Sequence, residues 1–206
     1  MGDQLQDHHL KNVGSRETHR VAPGHHERFR KPERIERLRP DELVEELGLQ
    51  PGQTVIDLGC GDGLFFGPLS RVVGEEGTVI GLDIEEEMVK VARETVEKEN
   101  LGNVQVQHCS DDSLPLPEDS SDGALLVNSL HEMASPEQTL AELRRILRDG
   151  ATVLVYDRHR EETGPEGPPI HHLVSEEQAV NYFNEAGFAS VRTIDWDPDM
   201  YTMVFQ

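Results

Sequence analysis

The run Val55-Ile56-Asp57-Leu58-Gly59-Cys60-Gly61-Asp62-Gly63 constrains this chain more than any other segment. Aliphatic residues feed into three glycines at two-residue spacing, and a helical pattern begins near Leu64. A turn of that kind lets bare backbone press against a ligand while the helix start offers free N–H groups. A nucleotide-like ligand is the natural occupant, and a parallel α/β sheet is the frame that presents it. The rest of the chain repeats the alternation. Strands are predicted at Thr54 to Leu58, Thr78 to Leu82, Val104 to His108, Gly123 to Asn128 and Ala151 to Tyr156, apolar enough to be buried on both faces. Between them, Glu85 to Lys98 puts Met88, Val91, Ala92 and Val96 on one stripe. Ser135-Pro136-Glu137-Gln138 reads as a capping box opening a helix that buries Leu140, Leu143 and Ile146 and stops at Gly150. Ser175 with Gln178 repeats the box, and Gly187 ends that helix. The last two strands, Ser190 to Trp196 and Tyr201 to Phe205, are joined by Asp197-Pro198-Asp199, too short a link for a crossover, so they must be antiparallel. The expected fold is a doubly wound, mostly parallel seven-stranded sheet with an antiparallel C-terminal hairpin and helices on both faces.

A length of 206 residues suits one domain. Lys plus Arg is 19 and Asp plus Glu is 40, a net charge of −21. Such a field repels polyphosphate and anionic bilayers, so neither nucleic acid nor membrane is an expected partner. Residues 1 to 39 break the pattern, with nine Lys/Arg against six Asp/Glu and five of the ten histidines. Residues 1–31 are therefore set apart as a flexible His-rich leader, and 32–206 as the ligand-binding domain. Within the latter, a helix from Pro32 carries Ile35 and Leu38, Pro40 divides it from a second over Asp41 to Leu47, and Gly48 closes that. Residues 160–172, rich in Gly and Pro and without a period, form a candidate lid. No apolar run approaches the roughly 20 residues of a spanning helix. Gln6 stands where a myristoylation signal wants Ser or Thr. Two cysteines, Cys60 and Cys109, build neither a disulfide framework nor a four-thiolate zinc site, so a cytoplasmic protein is expected.

Gly81-Leu82-Asp83-Ile84 supplies the second part of the site. Asp83 ends the next strand, 22 residues beyond Gly61, where a carboxylate can accept both hydroxyls of a ribose. A dinucleotide fingerprint would need its third glycine at Leu64, and no Gly-Lys-Ser/Thr follows for a triphosphate loop.

Asp57-Leu58-Gly59-Cys60-Gly61-Asp62-Gly63, then Asp83, Leu114-Pro115 and the strand from Ala124 to Asn128, together resemble the class I S-adenosylmethionine-dependent methyltransferases. The flavour is that of their small-molecule branch, which includes quinone and arsenite methyltransferases. The resemblance covers residues 33 to 206 and implies their Rossmann-like fold, with S-adenosyl-L-methionine as cofactor and S-adenosyl-L-homocysteine as product. It implies that Gly59, Cys60 and Gly61 lie along the methionyl part, with Asp57 stabilising the loop or reaching the amino group through water. Asp83 would hold the ribose and Ile84 would pack on the adenine. Asn128 would face the methionyl or methyl end. The family's acid four places before Leu-Pro is here Ser110, followed by Asp111 and Asp112, which leaves Ser110 and Asp111 as alternatives for the adenine amino group.

His131-Glu132 follows the fourth strand, at the edge where the resemblance implies that substrate meets the methyl group. His131 is the candidate catalytic base, or else a packing histidine beneath the lid. His171-His172 at the lid's end invites the same two readings. No pair of these groups has helical zinc spacing, so no metal is expected. Phe29, Ile35 and Leu38 are placed as a flap over the cofactor or as sheet packing, and Trp196 as hairpin core or a stacking surface for a flat substrate. Cys60 reads as a small residue against the cofactor and Cys109 as buried. Two thiols, one of them in the loop, argue against arsenite chemistry. The expected activity is in-line methyl transfer to an unidentified small-molecule acceptor. The rival readings are a non-catalytic S-adenosylmethionine-binding sensor or partner subunit, and an NAD-dependent oxidoreductase.

Overall fold

The computed structural model describes residues 29–159 and 173–206. The expected lid, with His171 and His172, and residues 1–28 of the expected leader lie outside the described residues. Two short helices, α1 (Pro32–Leu38) and α2 (Pro40–Glu45), open the described chain. Then come β1 (Thr54–Leu58), α3 (Phe66–Val73), β2 (Thr78–Asp83), α4 (Glu86–Glu99), β3 (Val104–His108), β4 (Ser121–Val127), α5 (Pro136–Ile146), β5 (Leu147–Arg158), α6 (Glu176–Glu185), β6 (Ser190–Asp197) and β7 (Met200–Phe205). The strands form one seven-stranded sheet in the order β3-β2-β1-β4-β5-β7-β6. Its first five strands in the chain run parallel, and β7 is antiparallel to both β5 and β6. The expected doubly wound sheet with its antiparallel hairpin is therefore present.

Strand alternation sorts the core into two layers. Ile56, Leu82, Leu126 and Val155 face α5 and α6 through Leu140, Leu143 and Phe183, whose ring stacks on Phe205 at 4.0 Å between centroids. Val55, Val79, Leu125 and Leu154 face the other way, onto Leu43 of α2, Leu69 of α3 and Val89 of α4. β3 differs from the expectation of burial on both faces: as an edge strand it exposes Gln105 while burying Val104 and Val106.

Local differences from the sequence reading have identifiable causes. α5 ends at Ile146 instead of Gly150, because Leu147 already pairs with Ser121 of β4. Arg148 to Ala151 then bulge before Thr152 rejoins the ladder opposite Gly123, and Gly150 sits at φ 81° within that bulge. The Ser135 side chain makes no cap bond; the Ser135 carbonyl instead accepts the Thr139 hydroxyl. At Ser175 the capping box with Gln178 forms as expected. α4 turns Val89 inward with Met88 and Ala92, and Val91 is only half-buried. Among the described residues no helix is long and apolar enough to cross a membrane.

β1 and β4 are neighbours, yet the chain leaves them toward opposite edges of the sheet. That switch opens a crevice at the carboxyl ends of the strands, where open α/β sheets bind ligands.

Candidate functional site

The loop after β1 takes a shape that only glycine tolerates at two points. Gly59 and Gly63 have φ of 77°. A Cβ on Gly59 would lie 2.7 Å from Cβ of Ser129, and one on Gly63 would lie 2.5 Å from the Phe66 ring. The amides of Gly59 and Cys60 donate to the Leu82 carbonyl of β2, and the Gly61 amide donates to Asp83 Oδ2 at 2.9 Å. α3 begins only at Phe66, two residues past the expected start, because residues 61–65 are still turn.

Asp83 ends β2 as expected, but it is only 8 % exposed. Its Oδ2 holds the glycine loop and its Oδ1 accepts the Glu85 amide at 2.9 Å, at the start of α4. Burial raises its pKa, and the two amides partly offset that. Each oxygen retains capacity for a second hydrogen bond.

A cavity of about 880 Å³ lies over this loop. Its wall includes the residues expected to hold the cofactor, Asp57, Gly59, Cys60, Gly61, Asp83, Ile84, Ser110, Asp111 and Asn128, and the candidate base His131. Asp57, 2 % exposed, has an Oδ2 with no hydrogen-bond partner, and Ser129 Oγ in the same wall is likewise unpartnered. Burial, then the charges of Asp83 and Asp62, push Asp57 up to about 8. Burial also raises the Cys60 thiol, and it lifts Cys109 to about 12, so both are protonated and unreactive at neutral pH. Ser110 and Asp111 both reach the wall. Ser110 donates its hydroxyl to Asp112 Oδ1 at 2.9 Å, and the Asp111 carbonyl accepts the Thr139 hydroxyl at 2.7 Å.

The chain before α1 closes one side. The Phe29 ring comes within 3.4 Å of where a Gly61 Cβ would stand, and Arg30 Nε donates to Asp62 Oδ2 at 2.7 Å. Leu38 joins the wall, whereas Ile35 is left exposed. Trp196 is not open for stacking on one face: the Arg39 guanidinium covers its ring at 3.8 Å.

At the other end, Asn128 takes φ 54° and its amide donates to the Tyr156 carbonyl of β5. The chain then forms a single 3₁₀ turn, Leu130–Glu132, which brings His131 into the wall. Its ring Nδ1 lies 2.6 Å from Asp157 Oδ1, and its amide donates to Asp157 Oδ2 at 3.1 Å. Asp157, fully buried, also accepts the Arg158 amide at 2.7 Å. A carboxylate so placed keeps the proton on Nδ1 and leaves Nε2 as an acceptor. Burial alone would lower the His131 pKa, but the charge and hydrogen bond of Asp157 outweigh it and the net shift is upward. Asp157, Arg158 and Ser129 escaped the sequence reading. The available signal was position: Asp157 and Arg158 end the strand beside β4, at the carboxyl edge where the crevice must lie.

These features fit one ligand class. Orphaned Asp57 Oδ2 suits an ammonium group, Asp83 suits vicinal hydroxyls, and Ile84 and Met88 offer an apolar flank for a purine.

The family described as "Methyltransferase domain" matches residues 56–155. A solved S-adenosylmethionine-dependent methyltransferase from Aquifex aeolicus shares 31 % identity and superposes with a TM-score of 0.84, covering 90 % of this chain and 98 % of that one. A ubiquinone/menaquinone biosynthesis C-methyltransferase of Teredinibacter turnerae is 34 % identical over 124 residues, 60 % of this chain and 50 % of that protein. A 37.1 kDa protein encoded in a transposon of Streptomyces fradiae is 40 % identical over 113 residues, 55 % of this chain and 32 % of that protein. The chain thus matches half or less of the length of these curated relatives. Taken with this chain's own glycine loop, strand-end acid and sheet order, the likeness to the Aquifex aeolicus enzyme places the chain in the class I S-adenosylmethionine-dependent methyltransferases.

Proposed function

We propose that residues 32–206 transfer the methyl group of S-adenosyl-L-methionine to a small-molecule acceptor, leaving S-adenosyl-L-homocysteine. The observation that carries this reading is the unpartnered Asp57 Oδ2, buried in the cavity wall beside a glycine loop that Asp83 ties down. Asp57 binds the amino group, Asp83 the ribose, Ile84 one face of the adenine, and Asp111 or Ser110 its amino group. Gly59, Cys60, Gly61 and Asn128 shape the channel for the methionyl chain.

When bound, the cofactor would supply an already activated methyl carbon for in-line attack by the acceptor's lone pair, its sulfur keeping the bonding pair. The chain therefore has to align and dehydrate more than to activate. Phe29 and Leu38 cover the site, limiting water. His131 Nε2 takes the proton an O–H or N–H acceptor must lose, and Asp157, through Nδ1, orients the ring and stabilises its protonated form. His131 is thus the catalytic residue of this proposal and Asp157 a positioning residue. Buried free thiols at Cys60 and Cys109 support action in a reducing cytoplasm.

Neither rival gains support from the fold or the relatives. Incubation with methyl-tritiated S-adenosylmethionine and a metabolite extract tests the proposal: label should pass to a small molecule. Tight cofactor binding with no transfer would favour a sensor instead.

A further inference from the structure

The cavity wall carries charges of both signs. Around the glycine loop stand Asp57, Asp62, Asp83, Glu85 and Asp111, which suit a cofactor whose sulfonium and ammonium outnumber its one carboxylate. The stretch around α1 and the carboxyl end of β5 adds Lys31, Arg34, Arg37 and Arg158. In a chain with 40 acidic side chains against 19 cationic ones, most arginines should find an acid, and among the described residues nearly all find some partner. Arg37 forks onto Asp197 and reaches Asp199. Arg34 donates to the Phe29 carbonyl and lies over its ring. Arg30, Arg39, Arg71, Arg93, Arg144, Arg145, Arg148 and Arg192 each have an acceptor as well.

Arg158 alone among the described arginines makes no side-chain hydrogen bond, ion pair or ring contact with a described residue. It is half-buried and in the cavity wall. A partly desolvated guanidinium with five unmet donors is unfavourable unless something supplies oxygens, and its planar fork matches carboxylate and phosphate. Its backbone is fixed at both ends, by the amide bond to Asp157 Oδ1 and by pairing with Met200 of β7. Strand alternation puts it on the same face as Tyr156, which also lines the cavity. Asp157 therefore couples His131 and Arg158 into one hydrogen-bonded unit. Two acids interrupt this wall. Glu132 is set against the imidazole, 3.8 Å from His131 Nε2, and Glu33 is exposed on the first turn of α1.

We propose that Arg158 binds an oxyanion of the methyl acceptor, so that the acceptor is an anionic small molecule, a carboxylate or a phosphate, held with its nucleophilic atom toward His131. This rests on the methyltransferase reading and narrows it to a substrate class.

The test begins with calorimetric titration of the full chain with S-adenosylhomocysteine, followed by titration of the saturated protein with benzoate, phenyl phosphate and benzamide. At least one anion should bind ten times more tightly than the neutral amide, and which of the two does so separates carboxylate from phosphate. Arg158→Met should remove that preference by roughly ten- to a hundredfold, the usual range for a hydrogen bond to a charged group, and Arg158→Lys should restore part of it. Affinity for S-adenosylhomocysteine should stay unchanged in both variants, and the thermal midpoint should not fall. Equal or absent binding of the anions overturns the proposal. So does a tenfold loss of S-adenosylhomocysteine affinity in Arg158→Met, which would put the guanidinium on the cofactor's own carboxylate. Failure of S-adenosylhomocysteine to bind the unaltered chain would overturn the methyltransferase reading itself. As a second readout, tritium transferred into a metabolite extract should be retained on an anion exchanger, and label confined to the flow-through contradicts the inference.

Discussion

At the β1–β2 end of the cavity the wall is built on a loop of a few consecutive residues whose backbone is pinned by Leu82 and Asp83. At the β4–β5 end it is made of side chains from segments far apart in the chain: Arg34 and Arg37 before the sheet, His131 after β4 and Arg158 at the end of β5, with Asp157 behind His131. The first arrangement is specified locally and suits a cofactor shared by many enzymes. The second depends on tertiary assembly, and can be refitted to a new acceptor without disturbing the loop.

If the two ends work independently, damage to one should spare the other. The largest effect is expected from His131→Ala, which should lower methyl transfer about 10² to 10⁴-fold, the usual weight of a general base, with S-adenosylhomocysteine affinity within twofold. Asp157→Asn should lower turnover less and shift the pH–rate profile toward acid, since it removes the partner that raises the His131 pKa. An unaltered profile would make the pair structural. At the opposite end, Gly59→Ala should weaken cofactor binding on the order of a hundredfold through left-handed backbone strain of about 1–2 kcal/mol and its clash with Ser129. Ser129→Gly in that background should recover part of the loss, which binding calorimetry would reveal.

A smaller effect separates the halves by pH. In the free protein Asp57 titrates near 8, so at pH 7 it is mostly protonated. Pairing with an ammonium group requires the carboxylate. Cofactor affinity should therefore rise with pH up to about 8, by no more than about tenfold per unit, with proton release visible across buffers of different ionisation heat. Asp57→Asn should flatten that dependence. Stability has the opposite sign: between the unfolded value near 4 and about 8 the folded state holds the extra proton, so the free protein loses stability as pH rises through that window. Thermal midpoints of the two proteins should converge at low pH and part above it.

The same contrast explains what could be read from the sequence. Strand runs, the glycine loop and Asp83 are local patterns, and each fell where the fold needed it, because burial and turn geometry act on neighbouring residues. The end of α5 at Ile146 was not visible, since it depends on Leu147 pairing with Ser121 across the sheet. The dual role of Asp83 as ribose candidate and loop anchor was half visible: its spacing suggested the first, and only the folded loop displays the second. Asp157 was hidden altogether. It follows an apolar strand like many surface acids, and becomes distinctive only when β4 and β5 lie side by side and His131 turns toward it. Arg158 is distinctive through its lack of a side-chain partner among the described residues, which no linear pattern encodes.

The central claim is that the β1 loop and Asp83 embrace an adenosyl sulfonium. Calorimetric titration of the full chain with S-adenosylmethionine, S-adenosylhomocysteine and NAD addresses it directly. One-site binding of the first two, with NAD silent, is the predicted result; binding of NAD, or no heat from either adenosyl compound at millimolar concentration, would contradict it.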